Sequence, residues 1–455
     1  MTFFDAVAEL PALSVVFFLL ALVLAFGFEF INGFHDTANA VTTVIYTRTL
    51  KPTPAVLYSG VLNFVGVLVG GTAVAFSIVN LLPVDLLVDS TSAAALVMVL
   101  ALLTAGVTWN LATWSVGLPV SSSHTLIGSI LGVGLANSLL TGHGLGGVRW
   151  DKAVQVGVGL LLSPLVGFVA AALLLLVMKV IFRQPKLYVP PEGDDRPPGW
   201  VRGVLVASCG GVSFAHGSND GQKGMGLILL VLIGFLSGHY ALDIFEPDKV
   251  AAARDGVATV RAKLAATDQL TPELAAHADA ATAALGGIGS FADLPSPRRW
   301  EVRQHLFALA QAAKDTADTS EEWREATAGL TGAIEFVPLW VVIGVALALG
   351  IGTTIGYKRI VVTVAEKIGK THLTYAQGAS AELVTAATIL LAGAVHAPVS
   401  TTQILSSGVA GTMAANKSGL QWGTVRRILL AWVFTLPCTM LLAGGLFALG
   451  RLIVR

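Results

Sequence analysis

The sequence predicts an all-α polytopic membrane protein: an inverted-topology repeat with broken helices and two re-entrant hairpins. Three observations predict it. The 455 residues are 54% hydrophobic and only 12% charged, about half the charged fraction of a soluble domain. Two glycine-rich polar stretches, Gly33-Phe-His-Asp-Thr-Ala-Asn39 and residues 210–222 (GGVSFAHGSNDGQ), lie within strongly apolar surroundings. Two further segments, Pro119-Val-Ser-Ser-Ser-His124 and Pro398-Val-Ser-Thr-Thr-Gln403, are near copies of each other.

Taken in order, residues 1–182 form the first transmembrane repeat. Residues 13–46 are apolar but interrupted by the first polar stretch, and at 1.5 Å per residue they are too long for one straight span. No Lys or Arg precedes this long run, so it reads as a retained span and not a cleaved signal. A loop with Arg48 and Lys51 leads to a span over 55–82. The next loop, 83–90, carries Asp85 and Asp89 and no cation. Residues 93–140 are apolar, cut by the Pro119 segment, and a last span covers 154–181.

Residues 183–202 are a basic, proline-containing connector on the cytoplasmic side. The second repeat begins over 203–238. Residues 239–332 turn Ala-rich, with charges of both signs and helical spacing, and read as a soluble, mostly helical insertion. Residues 333–455 complete the second repeat, with the Pro398 segment cutting its apolar middle. Cys209 and Cys438 both lie at or inside apolar segments and read as packing residues, not a disulfide. Zero net charge gives no attraction to nucleic acid.

The two halves match in length once the insertion is set aside. Asp36 precedes Pro119 by 83 residues. Asp220 precedes Pro398 by roughly 84 when the insertion is removed, in the same order of elements. Cytoplasmic loops collect Lys and Arg. Placing Arg48, Lys51, the 183–202 connector and the clusters at 358–370 and 417–427 inside puts the N-terminus outside. Both Pro-Ser/Thr segments must then be tips of re-entrant hairpins entering from opposite faces, and both termini come out external.

Irregular polar backbone is tolerated at membrane depth only around a buried cavity, which is how carriers build substrate sites. The tips offer Ser121, Ser122 and Ser123 opposite Ser400, Thr401 and Thr402, each set at a helix start. Free N–H groups and the helix dipole favour an anion there, and the hydroxyls, with Asn219 nearby in sequence, add donors suited to a tetrahedral oxyanion. Asp36 and Asp220 are intramembrane acids, which must be protonated, hold a cation or pair with a base. Asn39 lies three residues beyond Asp36 and shares its face. The corresponding residue after Asp220 is Lys223, whose ammonium takes the place of a bound metal cation. That substitution favours a proton over sodium as coupling ion. Glu382 is a further candidate proton carrier, and His35, His124 and His216 sit beside the motifs and titrate near neutrality. No fixed metal site and no organic cofactor is expected.

These signatures, with the paired Pro-Val-Ser tips, resemble the inorganic phosphate transporter (PiT) family over nearly the whole chain outside the insertion. Within it they are similar to the bacterial low-affinity, proton-coupled phosphate permeases. The resemblance implies uptake of inorganic phosphate across the bacterial inner membrane, also as a neutral complex with a divalent metal, by a multi-pass homodimer. Sodium-coupled members carry Asn-Asp with a downstream Asn in both signatures, where this chain has His35 and Lys223; Gln403 stands where relatives commonly have His. On the residues alone, sodium coupling and a related oxyanion such as sulfate remain open. A serine hydrolase built on Ser123, His124 and Asp36 does not fit, because adjacent Ser and His on one segment diverge and the second tip lacks the His.

Overall fold

The computed structural model describes residues 3–79, 81, 93–146, 148, 150–191, 196–316, 318–394 and 399–453. The loop acids Asp85 and Asp89, together with Arg149, His396 and Pro398, lie outside the described residues. The helices in chain order begin with α1 (Phe3–Ala8), α2 (Ala12–Tyr46), α3 (Pro52–Val69), α4 (Ala73–Val79), α5 (Ala93–Ser115), α6 (Ser122–Leu140), α7 (Trp150–Ile181) and α8 (Gly199–Phe235). There follow α9 (Ser237–Tyr240), α10 (Lys249–Ala266), α11 (Pro272–Leu285), α12 (Ser296–Lys314) and α13 (Glu321–Ile334). The chain closes with α14 (Leu339–Thr353), α15 (Lys358–Glu366), α16 (Tyr375–Ala394), α17 (Thr401–Ala415) and α18 (Trp422–Ile453). Among the described residues the only β pairing is an isolated bridge, Gly369 to Leu420.

Six helices are long and apolar enough to cross a membrane, judged among the described residues: stretches Ala12–Tyr46, Pro52–Val69, Ala94–Ser115, Ser122–Leu140, Gly157–Ile181 and Trp422–Ile453. The fold is therefore an all-α polytopic one. It divides into two compact units.

The larger unit comprises Leu20–Leu86, Leu96–Ile228 and Leu339–Arg455. Its α6 packs along α18 and its α17 along α7, so each tip-bearing helix lies on a helix of the other sequence half. The outer faces of α7 and α18 leave Leu161, Leu173, Val180, Leu441 and Leu449 exposed, a surface suited to lipid and not to water. The first turns of α6 and α17 are buried on all sides: every residue from Ser122 to Gly134, and from Thr401 to Met413, is enclosed.

The expected broken helices are not found. Neither polar signature breaks its helix: α2 runs unbroken through Gly33–Asn39, and α8 through the whole of 210–222. The glycines serve close helix contact instead. A Cβ on Gly33 would strike the Leu349 carbonyl of α14, and one on Gly217 the Asn63 carbonyl of α3. Small residues let backbones approach where lipid gives no hydrophobic drive to pack. Some polar side chains in these stretches bond to neighbouring helices, as where the Thr37 hydroxyl donates to the Thr353 carbonyl at 2.9 Å.

The smaller unit comprises Met1–Leu19, Leu87–Ala95 and Leu229–Pro338. The stretch expected as a soluble, mostly helical insertion over 239–332 makes up its larger part, together with chain from the N-terminus. Phe18 links them, 6.2 Å from Phe3 and 5.4 Å from Phe235 between ring centroids. Helices α10 to α13 close on Val257, Val260, Leu285, Leu306, Leu309 and Leu330, all buried. Thr271 and Ser320 cap α11 and α13, accepting from the amides of Leu274 and Trp323. The fully buried Arg303 donates to the carbonyls of Ala241 (2.9 Å) and Ile334 (2.6 Å), and burial pushes its pKa down to about 10.

Candidate functional site

The site lies wholly within the larger unit, where α2 and α8 meet the starts of α6 and α17. Asp36 on α2 is its most heavily bonded group. Its Oδ1 accepts from Asn39 Nδ2 at 3.0 Å and from the Thr402 hydroxyl, and its Oδ2 from the Thr401 hydroxyl at 3.1 Å. The i,i+3 spacing on a helix brings Asp36 and Asn39 together. Asn39 also donates to Thr402 Oγ1 at 3.2 Å.

His216, on α8, sits between the two acids. Its Nε2 is 3.2 Å from Asp36 Oδ2 and 3.4 Å from Asp220 Oδ2, while Nδ1 lies 2.7 Å from Asn63 Oδ1. Ligand atoms of Asp36, His216 and Asp220 all lie within 4.8 Å of one another, a spacing that suits a shared cation or proton. The sequence alone suggests His216 as a hydrogen-bond donor beside the motif and no fixed metal site. Its i,i+4 relation to Asp220 is the signal available there, but the contact with Asp36 is set by tertiary packing.

Lys223 joins the two tips. Its ammonium donates to Asp220 Oδ1 at 2.6 Å, to Ser123 Oγ at 2.8 Å and to the Val399 carbonyl at 3.0 Å. Ser123 Oγ is itself 3.4 Å from the Val399 carbonyl. The tips of the two sequence halves are therefore in direct contact, and both are buried. Ser121 and Ser400 play identical local parts: each caps its helix, accepting at 3.3 Å from the amide of the residue three on. Their hydroxyls are engaged in holding the tips, while Ser123, Thr401 and Thr402 turn to other partners and Ser122 has none.

Several buried polar atoms in this region have no protein partner: Ser122 Oγ, both amide atoms of Asn219, Asn39 Oδ1 and His124 Nδ1. Buried polar groups are rarely left unpaired without a ligand, ion or water to meet them. Glu382 is placed elsewhere. It accepts from Ser208, which lies twelve residues before Asp220 on α8, about 18 Å along the axis. Sequence reasoning missed Glu29, two turns before Asp36 and fully buried; its position on the Asp36 face of α2 was legible as a periodicity.

Residues 32–443 match the model of the phosphate transporter family. The chain is 40% identical to the low-affinity inorganic phosphate transporter PitA of Escherichia coli strain K12, covering 94% of this chain and 95% of that one. It is 30% identical to the probable low-affinity inorganic phosphate transporter of Bacillus subtilis strain 168, with the same coverage of each. Among solved structures, one described as the sodium-dependent phosphate transporter superposes with a TM-score of 0.57 at 20% identity, covering 96% of this chain and 100% of the other.

Proposed function

The chain belongs to the phosphate transporter family, and from that premise we propose that it carries inorganic phosphate across the bacterial inner membrane by proton symport. Phosphate enters alone or as its neutral complex with a divalent metal. It binds between the two tips, against Ser122, Ser123, Thr401, Thr402 and Asn219. The observation that carries this reading is the meeting of the tips, bridged by Lys223, with unpartnered donors at Ser122 and Asn219. Two helix starts and one ammonium together favour a tetrahedral anion. No covalent bond is made or broken.

The work of coupling falls to Asp36, Asp220 and Glu382. Lys223 supports a proton over sodium, because its ammonium already holds Asp220 Oδ1, where a metal ion would otherwise bind. His124 and Asn39 border the same region. Access alternates by rearrangement of the two halves as an inverted repeat, with the tips as re-entrant hairpins. The 15 residues of α17 support that part of the reading, since about 20 are needed to span the hydrocarbon core. The working unit is a homodimer with external termini.

Radiolabelled phosphate uptake into proteoliposomes, with proton and sodium gradients imposed independently, tests the proposal. Uptake should follow the proton gradient and saturate. Uptake driven by sodium alone, indifferent to pH, would overturn it and favour sodium dependence, as named for the structural neighbour. Competition by sulfate as strong as by phosphate itself would reassign the substrate.

A further inference from the structure

Glu29 makes no hydrogen bond to the tips, yet it is among the most deeply buried acids in the protein, with no exposed surface. Its surroundings are unlike those of Asp36. Only Oε2 has a partner, the Asn32 amide at a long 3.5 Å, and Oε1 has none. The carboxyl rests on the bare backbone of Gly224, where a Cβ would overlap it. The charged and titratable groups acting on it are Asp220, His216 and Lys223, all on α8. The Lys223 ammonium is committed to Asp220, Ser123 and Val399. A fully buried carboxyl with one orphaned oxygen and no ion-pair partner favours its neutral form.

Its place along α8 gives that proton a direction. Glu29 meets α8 at Gly224, four residues beyond Asp220, and Glu382 meets it at Ser208, twelve residues before. At 1.5 Å per residue the two acids flank the Asp36–His216–Asp220 cluster on opposite sides, about 6 Å and 18 Å from Asp220 along the axis.

We propose that Glu29 carries a transported proton, as the station on the far side of the central cluster from Glu382. This rests on the proton-symport reading and adds to it the residue at which the proton is held before it reaches the tips. The small residue at 224 is then a seat for the carboxyl in one conformation, which it leaves when the central cluster changes charge.

The test uses the full chain in proteoliposomes, with radiolabelled phosphate and two assays. One is uphill accumulation under an inward proton gradient. The other is phosphate–phosphate counterflow at equal pH, which needs binding and reorientation but no net proton movement. Glu29→Gln keeps the shape and removes the titration. It should lower accumulation by about tenfold or more and flatten its pH profile, while counterflow stays within about twofold of the unmodified protein. Gly224→Ala, which unseats the carboxyl, should shift the pH profile of accumulation. Two results overturn the proposal: Glu29→Gln accumulating phosphate with an unchanged pH profile, or losing counterflow in step with accumulation, which marks a structural role. A failure of the underlying reading is seen separately, as an unmodified protein whose accumulation ignores the proton gradient.

Discussion

Removing the Lys223 ammonium is the perturbation with the most predictable size. Lys223 makes three contacts, to Asp220 at 2.6 Å, Ser123 at 2.8 Å and the Val399 carbonyl at 3.0 Å, with both charged side chains buried. Lys223→Met keeps the aliphatic stem but leaves Asp220 with only His216, at 3.4 Å, among its ion-pair partners. Breaking one side of a buried pair costs about 3–5 kcal/mol. That is roughly two to four powers of ten in the equilibrium holding the tips together. Thermal unfolding in detergent should show a drop of several degrees, and phosphate uptake should be lost. The double variant Asp220→Asn/Lys223→Met removes the stranded charge and should recover most of the lost stability, though not transport. Lys223→Asn, which opens a cation place on Asp220, should abolish transport or make it sodium-dependent. A Lys223→Met protein with unaltered melting and proton-driven uptake would refute the reasoning, since the ammonium would then hold nothing.

Gly217→Val should abolish folded expression, read by size-exclusion chromatography, because its side chain would enter the Asn63 backbone across the α3–α8 contact. Arg303→Met leaves the Ala241 and Ile334 carbonyls without their buried donor and should lower the stability of the smaller unit by about 2–4 kcal/mol, measured by denaturant titration followed through tryptophan fluorescence. In that unit His277 and His305 face each other, Nδ1 to Nδ1 at 2.8 Å. Burial, and then the charge of His277, hold His305 below its ordinary value of 6.5. The unfolded chain therefore binds the proton first, so stability should be full above pH 6.5 and fall as pH drops toward the lower folded value. Melting temperature against pH should show that decline, and His305→Gln should flatten it.

The helix starts at Ser122 and Thr401 were legible because proline followed by hydroxyl residues is a helix-entry signal in any context. Their duplication, with Asp36 and Asp220 at matched distances, marked them as parts of one centre. The structure brings Ser123, Thr401, Thr402, Asp36, Asn39, Asp220 and Lys223 together as that pattern implies. What could not be read was the purpose of the glycines. A run such as Gly33 to Asn39 looks like a broken helix from composition, whereas Gly33 and Gly217 lie against the backbones of Leu349 and Asn63, neighbours distant in sequence. The same limit hid the bridging place of His216, whose second acid partner comes from another helix. It also concealed the division of labour within each tip, where the first hydroxyl caps its own helix, Thr401, Thr402 and Ser123 bond to other elements, and Ser122 has no protein partner. Glu382 satisfied the criterion for an intramembrane acid but sits against Ser208, away from the cluster. Sequence shows that an acid is buried, and only packing shows beside what.

Phosphate binding to the purified protein, measured by isothermal titration calorimetry for the unmodified chain and for Ser122→Ala, bears most directly on the tips as the substrate site. The Ser122 hydroxyl is buried and has no protein partner, so its removal should leave the melting temperature unchanged. Binding should weaken by about tenfold, the size of one hydrogen bond to a charged ligand. Undiminished phosphate affinity in Ser122→Ala, and again in Thr401→Val, would contradict the account and put the anion somewhere other than between the tips.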